Sequence, residues 1–201
     1  MDIKRAAFVT SLSRYANYEG IGLPEIAVAG KSNVGKSSMI NCLCTRSKLA
    51  KVSGTPGKTR MLNVFRINDD FFLVDLPGYG FAKVSKAEQL RWSRMMEGYF
   101  ADSGLLAHVL HLVDIRHEPT GQDLGMNEFL RATGIPFTVI ATKADKISRG
   151  QWMRYVHAVC RSLRVQPWEV IPFSSEDGTG RDEVLGLFGK VCGEFAAAMR
   201  G

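Results

Sequence analysis

The sequence predicts an α/β fold, a mostly parallel six-stranded sheet with helices on both faces, and three observations carry that expectation. Short apolar runs that read as buried strands alternate with longer stretches of helical periodicity from residue 25 onward. One pair of runs, residues 61–67 and 71–74, is parted only by Asn68-Asp69-Asp70 and reads as a β-hairpin, which puts one antiparallel strand at the sheet edge. The junction between the first strand and the first helix is a complete G-x-x-x-x-G-K-S phosphate loop.

Taken in order, residues 1–24 show weak periodicity and end in Gly20-Ile21-Gly22-Leu23-Pro24, so they read as an N-terminal extension to a single domain spanning 1–201. Residues 26–29 are a short apolar strand, and 38–45 carry Met39, Ile40 and Leu43 at helical spacing. Residues 47–59, with Gly54, Pro56 and Gly57, form a loop without apolar rhythm. After the hairpin, a second loop runs from Asp75 to about Lys86. Helices are expected at 87–100, 122–132, 148–163 and 181–199, with strands at 105–113, 137–141 and 169–173.

The phosphate loop is Gly30-Lys31-Ser32-Asn33-Val34-Gly35-Lys36-Ser37, followed by Ser38. Its glycines let consecutive N–H groups turn inward around phosphate oxygens, and the following helix start adds partial positive charge. Lys36 is placed to bridge the β and γ phosphates, and the Ser37 hydroxyl to hold Mg²⁺.

In a sheet of this kind, ligands bind beyond the C-terminal strand ends. Asp75-Leu76-Pro77-Gly78 follows one strand. Its carboxylate can hold the Mg²⁺ shell, and the Gly78 N–H can meet a γ-phosphate. Thr142-Lys143-Ala144-Asp145 follows another. Asp145 can accept two hydrogen bonds from guanine but not from adenine, and the stem of Lys143 can lie along the base. Ser174-Ser175-Glu176 follows the last strand, which ends at Phe173, and is either placed to touch the base edge or an ordinary loop. Thr55 and Thr59 both offer a second hydroxyl for Mg²⁺; Thr59, within Gly57-Lys58-Thr59-Arg60-Met61, is preferred because it adjoins an anchoring strand.

Composition sets the remaining bounds. With 45% hydrophobic and 23% charged residues the 201-residue chain reads as an ordinary cytoplasmic globule. No run approaches the roughly 20 apolar residues of a membrane span, and the N-terminus lacks a signal-peptide pattern. Cys42, Cys44, Cys160 and Cys192 fit no zinc spacing and suit a reducing compartment. Net charge is +6, and residues 1–60 hold ten Lys/Arg against three Asp/Glu. Lys4, Arg5, Arg46, Lys48, Lys51, Lys58 and Arg60 either face a polyanion such as RNA or form a solvated basic face. His108 and His111, in an apolar strand, read as satisfied buried or edge histidines, and the tryptophans as packing.

The motifs G-K-S-N-V-G-K-S-S, T-P-G-K-T-R, D-L-P-G-Y-G-F-A, T-K-A-D and F-S-S, in this order over nearly the whole chain, resemble the EngB (YihA/YsxC) family within the translation-factor-related GTPases. The resemblance implies a Ras-like P-loop GTPase domain and slow GTP hydrolysis during assembly of the large ribosomal subunit, and through that a need in growth and division. It implies Lys36, Thr59 and Gly78 as catalytic residues, and Ser37, Thr59 and Asp75 around Mg²⁺. The large subunit's RNA or proteins are the implied partners, and no DNA partner is expected. No basic amphipathic helix or lipidation motif supports a membrane role, and with no uncommitted apolar segment evident a monomer is expected.

Two positions depart from the general GTPase pattern. Thr142 stands where Asn is common, which removes an amide that ties the base loop to the phosphate loop; modest nucleotide affinity is expected. Tyr79 replaces a common water-orienting Gln, and a phenol lacks the amide's paired donor and acceptor; slow turnover is expected. Asn33 is either a turn residue or, as in related GTPases, part of a K⁺ site. Two other readings remain open: a GTPase of another pathway such as septation, and a P-loop kinase or ATPase, against which Asp145 argues.

Overall fold

The computed structural model describes residues 1–13, 22–46, 49–50, 61–80 and 85–200. Seven strands, rather than six, make its sheet, in the order β1-β3-β4-β2-β5-β6-β7. They are β1 (Ala6–Leu12), β2 (Glu25–Gly30), β3 (Leu62–Ile67), β4 (Phe71–Asp75), β5 (Leu106–Asp114), β6 (Phe137–Thr142) and β7 (Val170–Phe173). The helices are α1 (Lys36–Leu43), α2 (Lys86–Asp102), α3 (Gly121–Thr133), α4 (Trp152–Leu163) and α5 (Arg181–Ala198).

The extra strand is β1, inside the segment expected to be an extension. It pairs antiparallel with β3, which pairs antiparallel with β4, so the hairpin strand lies one place in from the edge. From β4 to β7 every pairing is parallel. β2 is buried at all six positions, as a central parallel strand covered on both faces must be. Its side chains alternate between two cores. Ile26 and Val28 face Met39, Ile40 and Phe188 from α1 and α5; Ala27 and Ala29 face Met96, Tyr99 and Leu130 from α2 and α3. A third core joins Val139 and Ala141 of β6 to Val156, Val159 and Leu163 of α4.

Local chemistry sets the helix ends. Ser85 and Glu88 close a reciprocal capping box on α2, and Thr120 and Asp123 do so on α3. Gly180 precedes α5 at φ 75°, where an added Cβ would stand 2.1 Å from the Pro172 carbonyl oxygen, so only glycine fits. Arg181 then donates to the Cys42 and Leu43 carbonyls at 3.2 Å each, satisfying the C-terminal end of α1. All four cysteines are free thiols; burial pushes Cys44 and Cys192 up to about 11. No helix among the described residues is long and apolar enough to cross a membrane.

The parallel strands end together at Gly30, Asp75, Asp114, Thr142 and Phe173, and all of these ends but Asp114 lead into a loop that carries a candidate residue.

Candidate functional site

The phosphate loop leaves β2 at Gly30, where an added Cβ would meet Val34 Cγ1 at 2.9 Å and Leu112 at 3.0 Å. Asn33 takes φ 63° and Gly35 φ 116°, left-handed values that curl the backbone around the loop centre. No side chain caps α1 at Gly35, so its leading N–H groups stay open to an anion. Lys36 Nζ lies 3.4 Å from the Gly30 carbonyl, across the loop mouth. Burial pushes its ammonium below the ordinary value, and the neighbouring Asp75 charge works against that. Ser37 and Ser38, half-buried, open α1 beside it.

Asp75 is buried at the end of β4, and desolvation raises its carboxyl to about 6 against the opposing pull of Lys36. Its Oδ1 has no hydrogen-bond partner. A buried carboxylate oxygen without a donor among the described residues fits a hard divalent cation such as Mg²⁺. The loop that follows is fastened on both sides: Leu76 N–H donates to the Val28 carbonyl at 3.0 Å, and Trp92 Nε1–H to the Pro77 carbonyl at 3.0 Å. The Tyr79 carbonyl accepts the Ser32 N–H at 2.8 Å. Gly78 is thereby pressed against the phosphate loop. A Cβ there would lie 3.0 Å from both Lys36 Nζ and the Ser32 nitrogen.

Tyr79 points away from this mouth. Its hydroxyl donates to Asp123 Oδ1 at 2.8 Å and lies 3.0 Å from His111 Nε2, all three groups being buried. Burial and the Asp123 carboxylate push the phenol far above its ordinary value. His111 is held down to about 4 by burial, as is His108, whose Nε2 lies 3.0 Å from Thr138 Oγ1. The expected satisfied histidines are present, although His111 Nδ1 has no partner.

The base loop corrects one expectation. Thr142 does tie it to the phosphate loop: its hydroxyl lies 2.7 Å from the Val34 carbonyl and 3.0 Å from that of Val113. Lys143, at φ 62°, adds a second tie, Nζ to the Asn33 carbonyl at 3.1 Å, and pairs with Asp114 at 2.9 Å. The ground for weak nucleotide binding is therefore narrowed to the difference between one hydroxyl proton and an amide. Buried Ala144 begins the turn that presents Asp145. Ser174, fully buried behind Phe173, donates its hydroxyl to Asp145 Oδ1 at 2.8 Å and accepts the Glu176 N–H at 3.1 Å. Its hydroxyl holds the carboxylate rather than reaching a base; half-buried Ser175 follows it. Lys146 pairs with Asp145 Oδ2 at 2.8 Å, which keeps Asp145 below the usual carboxylate range, with Ser174 adding to that.

Sequence reasoning missed Asp114, Trp92 and Lys146. Asp114 holds Lys143 and Arg116, and despite partial burial these donors pull its carboxyl well below the ordinary value. An Asp at the C-terminal end of the β5 run was the available signal. Met61, half exposed before β3, is described, whereas Gly57, Lys58, Thr59 and Arg60, like Thr55, lie outside the described residues. Within the basic N-terminal set, Arg5 is already paired with Asp69.

With this geometry in place, the comparisons are decisive. A family model described as "50S ribosome-binding GTPase" matches residues 25–143. The chain is 50% identical over 183 residues to the probable GTP-binding protein EngB of Desulfitobacterium hafniense (strain DSM 10664 / DCB-2), covering 90% of this chain and 91% of that one. The chain belongs to the EngB family of GTP-binding proteins. The Bacillus subtilis (strain 168) EngB is 48% identical over 192 residues, covering 95% of this chain and 98% of that protein. A crystal structure of a probable GTP-binding protein EngB shares the fold, with TM-score 0.70 and 24% identity over 85% of this chain and 99% of that one. As an EngB-family member the chain is a P-loop GTPase, with the mostly parallel sheet expected of that fold.

Proposed function

We propose that this GTPase is a GTP-gated switch in assembly of the large ribosomal subunit, acting in the cytoplasm as a single domain. The observation that carries the switch is Gly78, held 3.0 Å (as a notional Cβ) from Lys36 Nζ and the Ser32 nitrogen. A terminal phosphate entering this mouth meets the Gly78 N–H, so the second loop responds to the γ-phosphate and is released on its loss. The match to a family of 50S ribosome-binding GTPases supports the ribosomal partner.

Residue roles follow from position. Backbone N–H groups of residues 33 and 35–37 surround the phosphates, and Lys36 bridges the β and γ groups; its lowered pKa recovers against phosphate charge. Ser37, Thr59 and Asp75 would hold Mg²⁺, which when bound neutralises charge developing on the β and γ oxygens. Asp145, aimed by Ser174, selects guanine, and Lys143 braces the base loop against Asn33. Among the described residues no side chain stands as a general base at the mouth, since the Tyr79 phenol is turned into the core. Hydrolysis is slow in isolation, resting on positioning and charge stabilisation by Lys36, backbone N–H groups and a partner.

The exposed backbone turn at Asn33 offers a K⁺ site beside the phosphates. Equal hydrolysis rates in K⁺ and Na⁺, with and without ribosomes, would remove that role. The main test is sedimentation of the protein with isolated large subunits under GDP, a non-hydrolysable GTP analogue or no nucleotide, at two salt concentrations. Binding that favours the analogue and weakens steeply with salt is expected. No binding in any state, alongside intact GTP binding, would leave the GTPase and sink the ribosomal partner; a septation role would then come forward.

A further inference from the structure

We infer that the outer face of α4, with the turn behind it, is an RNA-binding surface separate from the nucleotide site. Residues 146–168 contain five Lys/Arg and no Asp/Glu, whereas the rest of residues 61–201 holds eleven Lys/Arg against seventeen Asp/Glu. On α4 and its C-cap, Arg154, His157, Arg161 and Arg164 recur at spacings of three, four and three, and all four are exposed. They form one helical stripe, opposite the buried Val156, Val159, Cys160 and Leu163.

Charge on a solvent face is commonplace, but three further observations point to a ligand. First, Arg154, Arg161 and Arg164 make no ion pair among the described residues, whereas the flanking acids are engaged: Asp145 with Lys146, and Glu169 with the Gln166 N–H. Second, Trp168 is 81% exposed in the turn that follows α4, and Met153 on the same helix is 58% exposed. An indole left in water has forgone about 2–3 kcal/mol of burial, and both its faces stay open for stacking. Third, Arg154 lies 6.0 Å over the Tyr155 ring and Arg149 5.8 Å over that of Trp152. These guanidinium groups rest against aromatic faces, which limits the freedom they would lose on binding phosphate.

Cations in a row with an exposed aromatic at one end is the chemistry that takes a sugar-phosphate backbone and stacks an unpaired base. From Arg154 to Arg164 the stripe is about 15 Å long, which matches roughly four stacked nucleotides. The choice of RNA among polyanions rests on the large-subunit reading above.

The test uses the full chain loaded with GDP, a fluorescein-labelled 12-nucleotide single-stranded RNA, and a 12-base-pair RNA duplex, read by anisotropy. Arg154→Gln/Arg161→Gln avoids Arg164, whose φ of 54° makes substitution a backbone question. Unchanged GDP binding checks its fold. Single-strand affinity should fall at least tenfold, and the salt slope by about 1.4 for two lost phosphate contacts. Trp168→Ala should weaken the single strand five- to hundredfold and leave the duplex within about twofold. Wild-type affinity in the double variant, or displacement of RNA by poly-L-glutamate at equal charge, would overturn the assignment, the latter in favour of an acidic protein partner. Large-subunit sedimentation run in parallel separates the two readings. If the wild type ignores subunits but its RNA binding depends on α4, the ribosomal role fails and the surface stands. If it binds subunits and the double variant keeps full RNA affinity, the surface fails and the ribosomal role stands.

Discussion

The Thr142 hydroxyl lies 2.7 Å from the Val34 carbonyl, so the end of β6 and the phosphate loop are joined through a single proton across 108 residues of chain. A hydroxyl has one hydrogen to give, and Val113 at 3.0 Å competes for it. Where an amide could serve both loops at once, the threonine serves mainly one. The tie is thinner than an Asn would make it, but it is present.

Thr142→Val keeps the shape and removes that proton. Two buried carbonyls lose a partner, at a cost of about 1–3 kcal/mol. GDP affinity should fall about five- to tenfold in a fluorescent-nucleotide titration, with a lower melting temperature. Thr142→Ser should restore both. Equal affinity in the valine variant would show that the Lys143 brace alone holds the loops together.

At the base, Asp145 accepts from Ser174 and Lys146 yet retains lone pairs on both oxygens for guanine. Asp145→Asn replaces one acceptor with a donor and reverses the match. GTP affinity should drop at least a hundredfold, and xanthosine triphosphate should bind better than GTP. Ser174→Ala leaves the acceptor in place but unaimed, so a loss of only about fivefold is expected. Competition titrations with both nucleotides read the two variants. A variant indifferent to the base would place guanine elsewhere.

Tyr79→Phe separates packing from chemistry. Losing the hydroxyl leaves Asp123 and His111 without their shared partner in the core, a destabilisation of about 1–3 kcal/mol. Because the phenol faces away from the phosphates, turnover per folded molecule should stay within about threefold. A large fall in kcat at full occupancy would mean that the ring swings outward during hydrolysis.

Much of this was legible in the chain because the chemistry is local. The eight positions of the phosphate loop, Asp75 and Asp145 each announce themselves within a few residues, and the strand ends that carry them are apolar runs. What stayed hidden depends on distant partners. The periodicity of β1 is faint because its outer positions are only partly buried, and its partner strand is more than fifty residues away. The inward turn of Tyr79 depends on Asp123, 44 residues on, and the role of Ser174 on Asp145, 29 residues back. No spacing rule relates such pairs. The Thr142 tie was misjudged for the same reason: the residue type was visible, and the carbonyl it reaches was not.

Acid should loosen the fold. His108 and His111 charge near 6.5 when unfolded but only near 4 when folded, so between those values the unfolded chain binds more protons. Their contribution is fully present above about pH 6.5, and up to about 3 kcal/mol each is lost as pH falls toward 4. Asp75, raised to about 6 by burial, works in the opposite sense below pH 6 and cancels roughly one histidine. Urea unfolding between pH 4.5 and 7.5, without nucleotide, should show stability rising with pH below pH 6 by roughly the worth of one net proton, on the order of 1 kcal/mol per pH unit. A flat profile would mean that the histidines are not held neutral.

Gly78→Ala tests the switch itself. The new Cβ would stand 3.0 Å from a lysine amine, which can move, and 3.0 Å from the Ser32 backbone nitrogen, which can move only with the phosphate loop. The second loop must therefore back away from the place where a third phosphate meets the Gly78 N–H. GDP makes no use of that N–H, so its affinity should stay within about twofold. The GTP analogue should lose about tenfold, the worth of one charge-assisted hydrogen bond. Any preference of the large subunit for the analogue-bound form should vanish with it, since a ligand shifts a conformation only through its differential contacts. If GDP and the analogue weaken together, Gly78 is packing the phosphate loop rather than sensing the γ-phosphate, and the gate must lie in residues 51–60.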